Sequence, residues 1–284
     1  MKTYKLFLIL FSLVIVSCEE EEPTTPSTDF YIAENGITCK CEAAEVGDKM
    51  MVNGVEYEAV DNDLLRQRRD QNVDMTKLCT SMVTDMVNLF YFSPINQAIG
   101  NWDVSNVIDM SSMFQRSTFN QPIEIWDVGN VKNMTSMFSN SSFNQPIGTW
   151  DVGNVVQMTL MFASNEPTQT TPFNQSIENW DVSIVTQMVG MFSQSEFNQP
   201  LGECDVSSVQ YMQSMFAGSP FNQPIGNWDV SKVTEMGFMF DFNAKFNQDL
   251  SKWCVTQIPT SRENFAEGAT SWVLPNPFWG TCAD

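Results

Sequence analysis

Residues 147–162 read IGTWDVGNVVQMTLMF, and this stretch decides the fold. Apolar side chains fall at Ile147, Trp150, Val152 and Val155, followed by Met158, Met161 and Phe162. The first four have the spacing of a leucine-rich unit, LxxLxLxxN. The last three sit at helical or 3₁₀ spacing. One unit therefore predicts a short strand near Trp-Asp-Val and a short helical turn at Met-x-x-Met-Phe. Neither element buries its apolar face alone, so copies must stack.

Copies run along most of the chain. FNQPI occurs at Phe119, Phe143 and Phe221, and FNQPL at Phe197. Looser versions are PINQAI at Pro94, FNQSI at Phe173 and FNQDL at Phe246. Seven residues beyond each Phe stands Trp126, Trp150, Trp180, Cys204, Trp228 or Trp253, and Trp102 closes the first copy. Successive spacings at this position are 24, 24, 30, 24, 24 and 25 residues. The single 30 comes from six extra residues within Ala163–Pro172, a polar, proline-bearing stretch that predicts a loop. A sandwich needs strands of varied length and shows no fixed period. The expected fold is a repeat solenoid of leucine-rich-repeat-like kind, with short parallel strands, helical or 3₁₀ turns and a cap at each end.

Five segments follow. Residues 1–17 read as an export signal: Lys2 and Lys5, then an apolar run from Leu6 to Val16 broken only by Ser12. That run is too short to span a bilayer as a helix. It ends in Val-Ile-Val-Ser-Cys, which resembles a lipobox, and marks Cys18 for acylation. Residues 18–30 form an acidic and Pro/Thr tether beginning with Glu19 to Glu22. An acidic run after a lipidated cysteine resembles the signal that carries some lipoproteins to the outer face of a bacterial outer membrane. Residues 31–80 make an N-terminal cap, with a hairpin at Asn53-Gly54 and a helix within Asp63–Met75. Residues 81–253 are the repeats, opening on a degenerate copy at Val83, and 254–284 a Pro-rich C-terminal cap.

The combination FNQPIGNWDVS with a Met-x-x-Met-Phe tail resembles the BspA-like leucine-rich-repeat surface proteins. The likeness covers about residues 31–284. It includes ENGITCKCEAAEVGDKMMVNGVEYEAVD from Glu34 and FWGTC from Phe278. It implies a surface protein used for attachment, with no catalytic residues to carry over. One departure stands out. The leucine-rich asparagine position is Val107, Val131 or Val155, so any asparagine ladder falls to Asn120, Asn144, Asn174, Asn198, Asn222 and Asn247.

Charge and composition narrow the function further. The chain carries 14 basic and 34 acidic residues, a net of −20, and no histidine. That surface repels nucleic acid, so DNA and RNA are excluded as partners. Missing histidine removes Ser-His-Asp triads, Cys-His dyads and histidine-bearing zinc sites. Glycoside hydrolysis needs two differently tuned carboxylates, whereas a repeat places the same acid in every unit. The expectation is a binding or adhesion module without catalysis, with a passive spacer as the alternative and a carbohydrate-active enzyme as a remote one. Partners are then a protein or glycan on another surface, with the membrane reached only through the lipid anchor.

Seven cysteines suit an oxidising compartment. Setting Cys18 aside, Cys254 and Cys282 are expected to bridge the C-terminal cap, and Cys41 and Cys79 the N-terminal one. Cys39 is an alternative partner for Cys79, and Cys204 at a tryptophan position reads as a small buried apolar residue. A Cys39-x-Cys41 metal site lacks further ligands. Trp272 and Trp279 fall outside the period and are candidates for exposure.

The candidate site is a column of aspartates. Asp103, Asp127, Asp151, Asp181, Asp205 and Asp229 each follow the tryptophan position. Strand alternation turns all six outward on one face. Like charges about 5 Å apart cost about 0.8 kcal/mol in water and about 3 kcal/mol at an effective dielectric of 20. Three ways of offsetting this are open: hydrogen bonds from backbone or from Ser105, Ser183, Ser207 and Ser231; calcium bridging adjacent pairs, the one cofactor considered; or a cationic protein docked along the stripe.

Overall fold

The computed structural model describes residues 30–166, 169–260 and 264–282. The readings made for the leader, Cys18 and Glu19–Glu22 lie outside the described residues.

The N-terminal cap holds nearly all the regular secondary structure. Strands β1 (Tyr31–Ile32) and β2 (Cys39–Lys40) pair antiparallel. Strands β3 (Lys49–Val52) and β4 (Val55–Ala59) form the hairpin at Asn53-Gly54, both residues at positive φ (51° and 83°) as that two-residue turn requires. Strand β5 (Leu78–Cys79) adds parallel to β4, so β4 is central in its sheet. Helix α1 (Asn62–Asp70) starts on Asp61, whose carboxylate accepts the Leu64 N–H at 2.9 Å. It ends five residues short of Met75. Asn72 turns the chain at φ 53°, and a separate 3₁₀ turn, Met75–Lys77, follows.

From residue 81 the chain stacks coil on coil at the repeat period. Single parallel bridges join Asp85, Asp109, Asn133, Gln157, Gln187, Tyr211 and Glu235 in order. Around each bridge, alternate N–H groups reach the next coil. Met110, Ser112, Phe114 and Arg116 donate to the carbonyls of Asn133, Thr135, Met137 and Ser139 at 2.8–3.0 Å. The groups between them bond within the coil, as Met113 N–H does to the Met110 carbonyl at 3.1 Å.

This placement corrects two expectations. The bridging lies just before the first Met, not at Trp-Asp-Val. Around the tryptophan the backbone is consumed locally: Trp126 N–H bonds the Ile123 carbonyl (3.1 Å) and Val131 N–H the Val128 carbonyl (2.9 Å). No bridge to a neighbouring coil forms at Trp126–Val128. The Met-x-x-Met-Phe stretch is not helical either. The residue before its second Met takes a left-handed conformation, as at Ser112 (φ 55°), Ser136 (56°) and Leu160 (56°), which reverses the chain.

Columns of identical side chains fill the interior. The Met-Phe phenylalanines (Phe90, Phe114, Phe138, Phe162, Phe192, Phe216, Phe240) stack at 5.5–5.8 Å between centroids. The FNQ phenylalanines form a second stack, and each touches its own coil's Met-Phe ring at 3.8–4.1 Å. Tryptophans form a third column, and each indole N–H donates backward to a carbonyl one coil earlier. Trp126 reaches Ile99, Trp150 reaches Ile123 and Trp180 reaches Ile147, at 3.0–3.2 Å. The buried polar end of each indole is thereby satisfied.

Asparagines make a fourth column. The Asn144 N–H bonds the Asn120 Oδ1 at 2.9 Å, and the same link joins Asn174, Asn198, Asn222 and Asn247 to the asparagine before each. The following glutamine adds its own amide to that oxygen, as Gln145 does to Asn120 at 3.0 Å. The six extra residues leave these columns in register: Phe162 stacks on Phe192 at 5.8 Å and on Phe173 at 3.8 Å.

At the C-terminal end Trp272 and Trp279 are half-buried rather than exposed. They pack edge-on against Phe246 and Phe265 at 4.8 and 4.9 Å and close the aromatic columns.

Candidate functional site

The six aspartates divide into five and one. Asp127, Asp151, Asp181, Asp205 and Asp229 are exposed. Each Oδ1 accepts the backbone N–H two residues on, from Gly129, Gly153, Ser183, Ser207 and Ser231, at 3.0–3.1 Å. This Asx turn is the local fold that ends the tryptophan segment. It leaves Oδ2 for other partners. Neighbouring carboxylates face one another across the coil junction. A Cβ on Gly129 would stand 3.3 Å from Asp127 Oδ1 and 3.6 Å from Asp151 Oδ2, and Gly153 is flanked likewise by Asp151 and Asp181. The result is a continuous acidic stripe. Ser183 and Ser231 hydroxyls, with their backbone N–H groups, hold the Asp181 and Asp229 carboxyls below the usual range. Hydrogen bonding to the charged form thus offsets part of the mutual repulsion. Among the described residues no group of three or more His, Cys, Asp or Glu is placed to hold a metal ion.

Asp103 departs from the column: it is 3% exposed. The N-terminal cap lies over it, and Lys40 of β2 brings its ammonium to 2.9 Å from Oδ2. The Ser81 hydroxyl donates to Oδ2 at 2.6 Å and the Ser105 hydroxyl to Oδ1 at 2.7 Å. Burial alone raises this carboxyl. The bonds from Ser81, Ser105 and Lys40 together outweigh it and hold the group below its ordinary value. The outward reading of Asp103 is therefore corrected. Strand alternation takes no account of a neighbouring cap, and this aspartate fastens the cap to the first coil.

Cysteines take three roles. Cys41 is bonded to Cys79, with Cα atoms 6.2 Å apart, and Cys254 to Cys282. Cys39 is fully buried beside the first bridge as a free thiol, and burial pushes its pKa to about 12. Cys204 is also free and burial pushes it to about 11, so both are protonated at neutral pH. Cys204 is half-buried, more open than the tryptophans around it. An apolar cavity of about 20 Å³ opens beside it, lined by Trp180, Leu201, Met215 and Trp228 among others. Ile177 correspondingly lacks the indole donor that Ile147 receives from Trp180.

One carboxylate is tuned the other way. Burial, then the nearby Glu267, raises the Asp241 carboxyl, and its Oδ1 is buried without a hydrogen-bond partner. Sequence reasoning missed it, because Asp241 follows the Met-Phe pair where other coils carry Gln115, Ser139, Ala163, Ser193 or Ala217.

The family model described as "Mycoplasma protein of unknown function, DUF285" matches residues 62–171 and again 166–276. The chain belongs to this family. The two DUF285 matches meet at 166–171, inside the six-residue insertion, and together take in α1, the coils and most of the C-terminal cap. No curated protein and no solved structure matches the chain.

Proposed function

We propose that this DUF285 protein is a non-catalytic binding and adhesion module of the BspA-like kind, a leucine-rich-repeat-like solenoid displayed on a bacterial surface from a lipidated Cys18. The acidic stripe is its docking face for a cationic protein partner. The observation that carries this reading is the contrast in exposure along one motif. Every column tryptophan is buried, while Asp127, Asp151, Asp181, Asp205 and Asp229 beside them stay exposed and share one face. A net charge of −20 supports long-range attraction of a basic partner and repels nucleic acid. The absence of histidine from the sequence supports a role without nucleophilic catalysis.

The test uses the chain from Phe30 onward, without its lipid, over immobilised basic matrix proteins. Binding is expected to weaken as salt rises from 50 to 300 mM and to fall at least tenfold when the five exposed aspartates are changed to asparagine. The same affinity in wild type and variant overturns the stripe as the docking face. Binding to nothing on a matrix and glycan panel favours a passive spacer.

A further inference from the structure

We propose that the gap in the tryptophan column at Cys204 is an anchor pocket for the end of one aliphatic side chain, which the docked partner presents between basic residues. This rests on the reading of the acidic stripe as a docking face, and it names what the partner must carry there.

Elsewhere the column is built of stacked indoles. Trp102 and Trp126 stand 6.5 Å apart, as do Trp228 and Trp253. Between Trp180 and Trp228 the column has only the Cys204 thiol. Collapse does not fill the place of the missing ring. A cavity of about 20 Å³ remains, walled by Ile177, Trp180, Met188, Leu201, Met215 and Trp228. It reaches from the half-buried Cys204 down to the methionines. Met188 and Met215 keep 3% and 2% of their surface, whereas Met134, Met137, Met158 and Met161 in the two preceding coils keep none.

Size and lining select the occupant. A trapped water needs at least about two polar partners, and the six walls are apolar side chains. About one or two methyl groups fit such a volume, and an aromatic ring does not. Removing those methyl groups from water favours their entry.

Charge selects the residues beside it. Cys204 stands between Glu203 and Asp205 in the chain, both exposed, and Asp205 belongs to the stripe. The exposed Glu178 comes from the preceding coil. After burial, the charges of Glu178 and Glu203 are what raise the Cys204 thiol, so both act at the mouth of the pocket. A side chain seated in the pocket therefore brings its own neighbours up to these three carboxylates. They attract Lys or Arg and repel Asp or Glu. An apolar anchor ringed by charge is the arrangement of an interface hot spot.

The experiment compares two labelled peptides, GKKLKKG and GKKAKKG, on the delipidated chain in 50 mM salt. The leucine peptide is expected to bind about threefold more tightly or better. It is also expected to shift the methyl NMR signals of Met188 and Met215 and to leave those of Met134 and Met158 in place. Cys204→Trp fills the pocket and retains every acidic residue, so it is expected to bring the two peptides to equal affinity. Cys204→Leu, a smaller filling, is expected to act in the same direction, and melting temperatures check that both variants are folded. Equal affinity of the peptides for wild type, or no binding of either, overturns the proposal. So does a leucine preference that survives both fillings, or Met188 and Met215 signals that do not move. The stripe reading fails by a different result, binding of both peptides undiminished in the five-aspartate variant.

Discussion

Two aspartates one coil apart, Asp103 and Asp127, occupy the same place in the same motif and have opposite fates. Asp103 is buried against Lys40, Ser81 and Ser105, whereas Asp127 is exposed and bonded only to the Gly129 backbone. The difference is what lies before each coil. Asp127 follows another coil of its own kind, and Asp103 follows the cap. The same contrast holds for the regions around them. The cap is fastened by a disulfide, the Arg68–Glu58 pair at 2.6 Å and the Lys40–Asp103 pair. The coils are held mainly by apolar columns and neutral hydrogen bonds, with the Arg116–Glu166 ion pair at their surface. Acid and reductant should therefore attack the cap, and cavities the coils.

The largest expected effect lies in the coils. Trp150→Ala removes an indole from the middle of its column together with the bond from its N–H to the Ile123 carbonyl. Chemical denaturation is expected to report a loss of about 4 kcal/mol, in the range for large-to-small aromatic truncation. A loss below about 1 kcal/mol would mean that the column does not hold the coils together.

The junction gives the next effect, and its sign can be worked out. The Asp103 carboxyl is depressed in the folded chain relative to its ordinary value of 3.8. Its contribution is therefore complete above that value and is lost as pH falls through the folded one. Asp103→Asn is expected to cost about 2 kcal/mol at neutral pH by weakening the charged hydrogen bonds from Ser81, Ser105 and Lys40, which keeps Glu42 at 3.5 Å, and to flatten the acid limb of the melting-temperature profile. Asp127→Asn should leave that limb close to wild type. Parallel profiles for wild type and Asp103→Asn would remove the clamp from the account.

The smallest effect sharpens the comparison inside the coils. Cys204→Trp restores the interrupted column, fills the cavity and gives the Ile177 carbonyl its missing donor. A gain of about 1 kcal/mol is expected from thermal melts, limited by how fully the about 20 Å³ void has already relaxed. A large loss would show that Leu201 and Met215 have closed over the place an indole needs.

Much of this was legible in the sequence. The Phe and Trp columns follow directly from the period, because side chains one repeat apart must meet when copies stack. The FNQ asparagines also announced themselves once Val107, Val131 and Val155 stood where a leucine-rich unit has asparagine. The backbone between the columns was not legible. Spacing cannot distinguish a helical turn from a pair of turns through a left-handed residue, and at Leu160 even residue type gives no warning. The strand at Trp-Asp-Val was misplaced because alternation ignores the aspartate, whose carboxylate captures the N–H two residues on. The burial of Asp103 was hidden because it depends on which foreign surface covers a repeat, and the repeat does not encode its neighbour.

The central structural claim is that each coil is held by its neighbour at the repeat period, on both sides of the insertion. Hydrogen exchange resolved to single amides tests this most directly. The N–H groups of Met110, Met134, Met158 and Met188, which donate to the next coil at 3.0 Å, are expected to share one high protection, close to that of global unfolding. Met158, which spans the insertion to Gln187, should match Met134. Fast exchange at Met158 with protection kept at Met134 and Met188 would split the chain into two independent stacks and contradict the account.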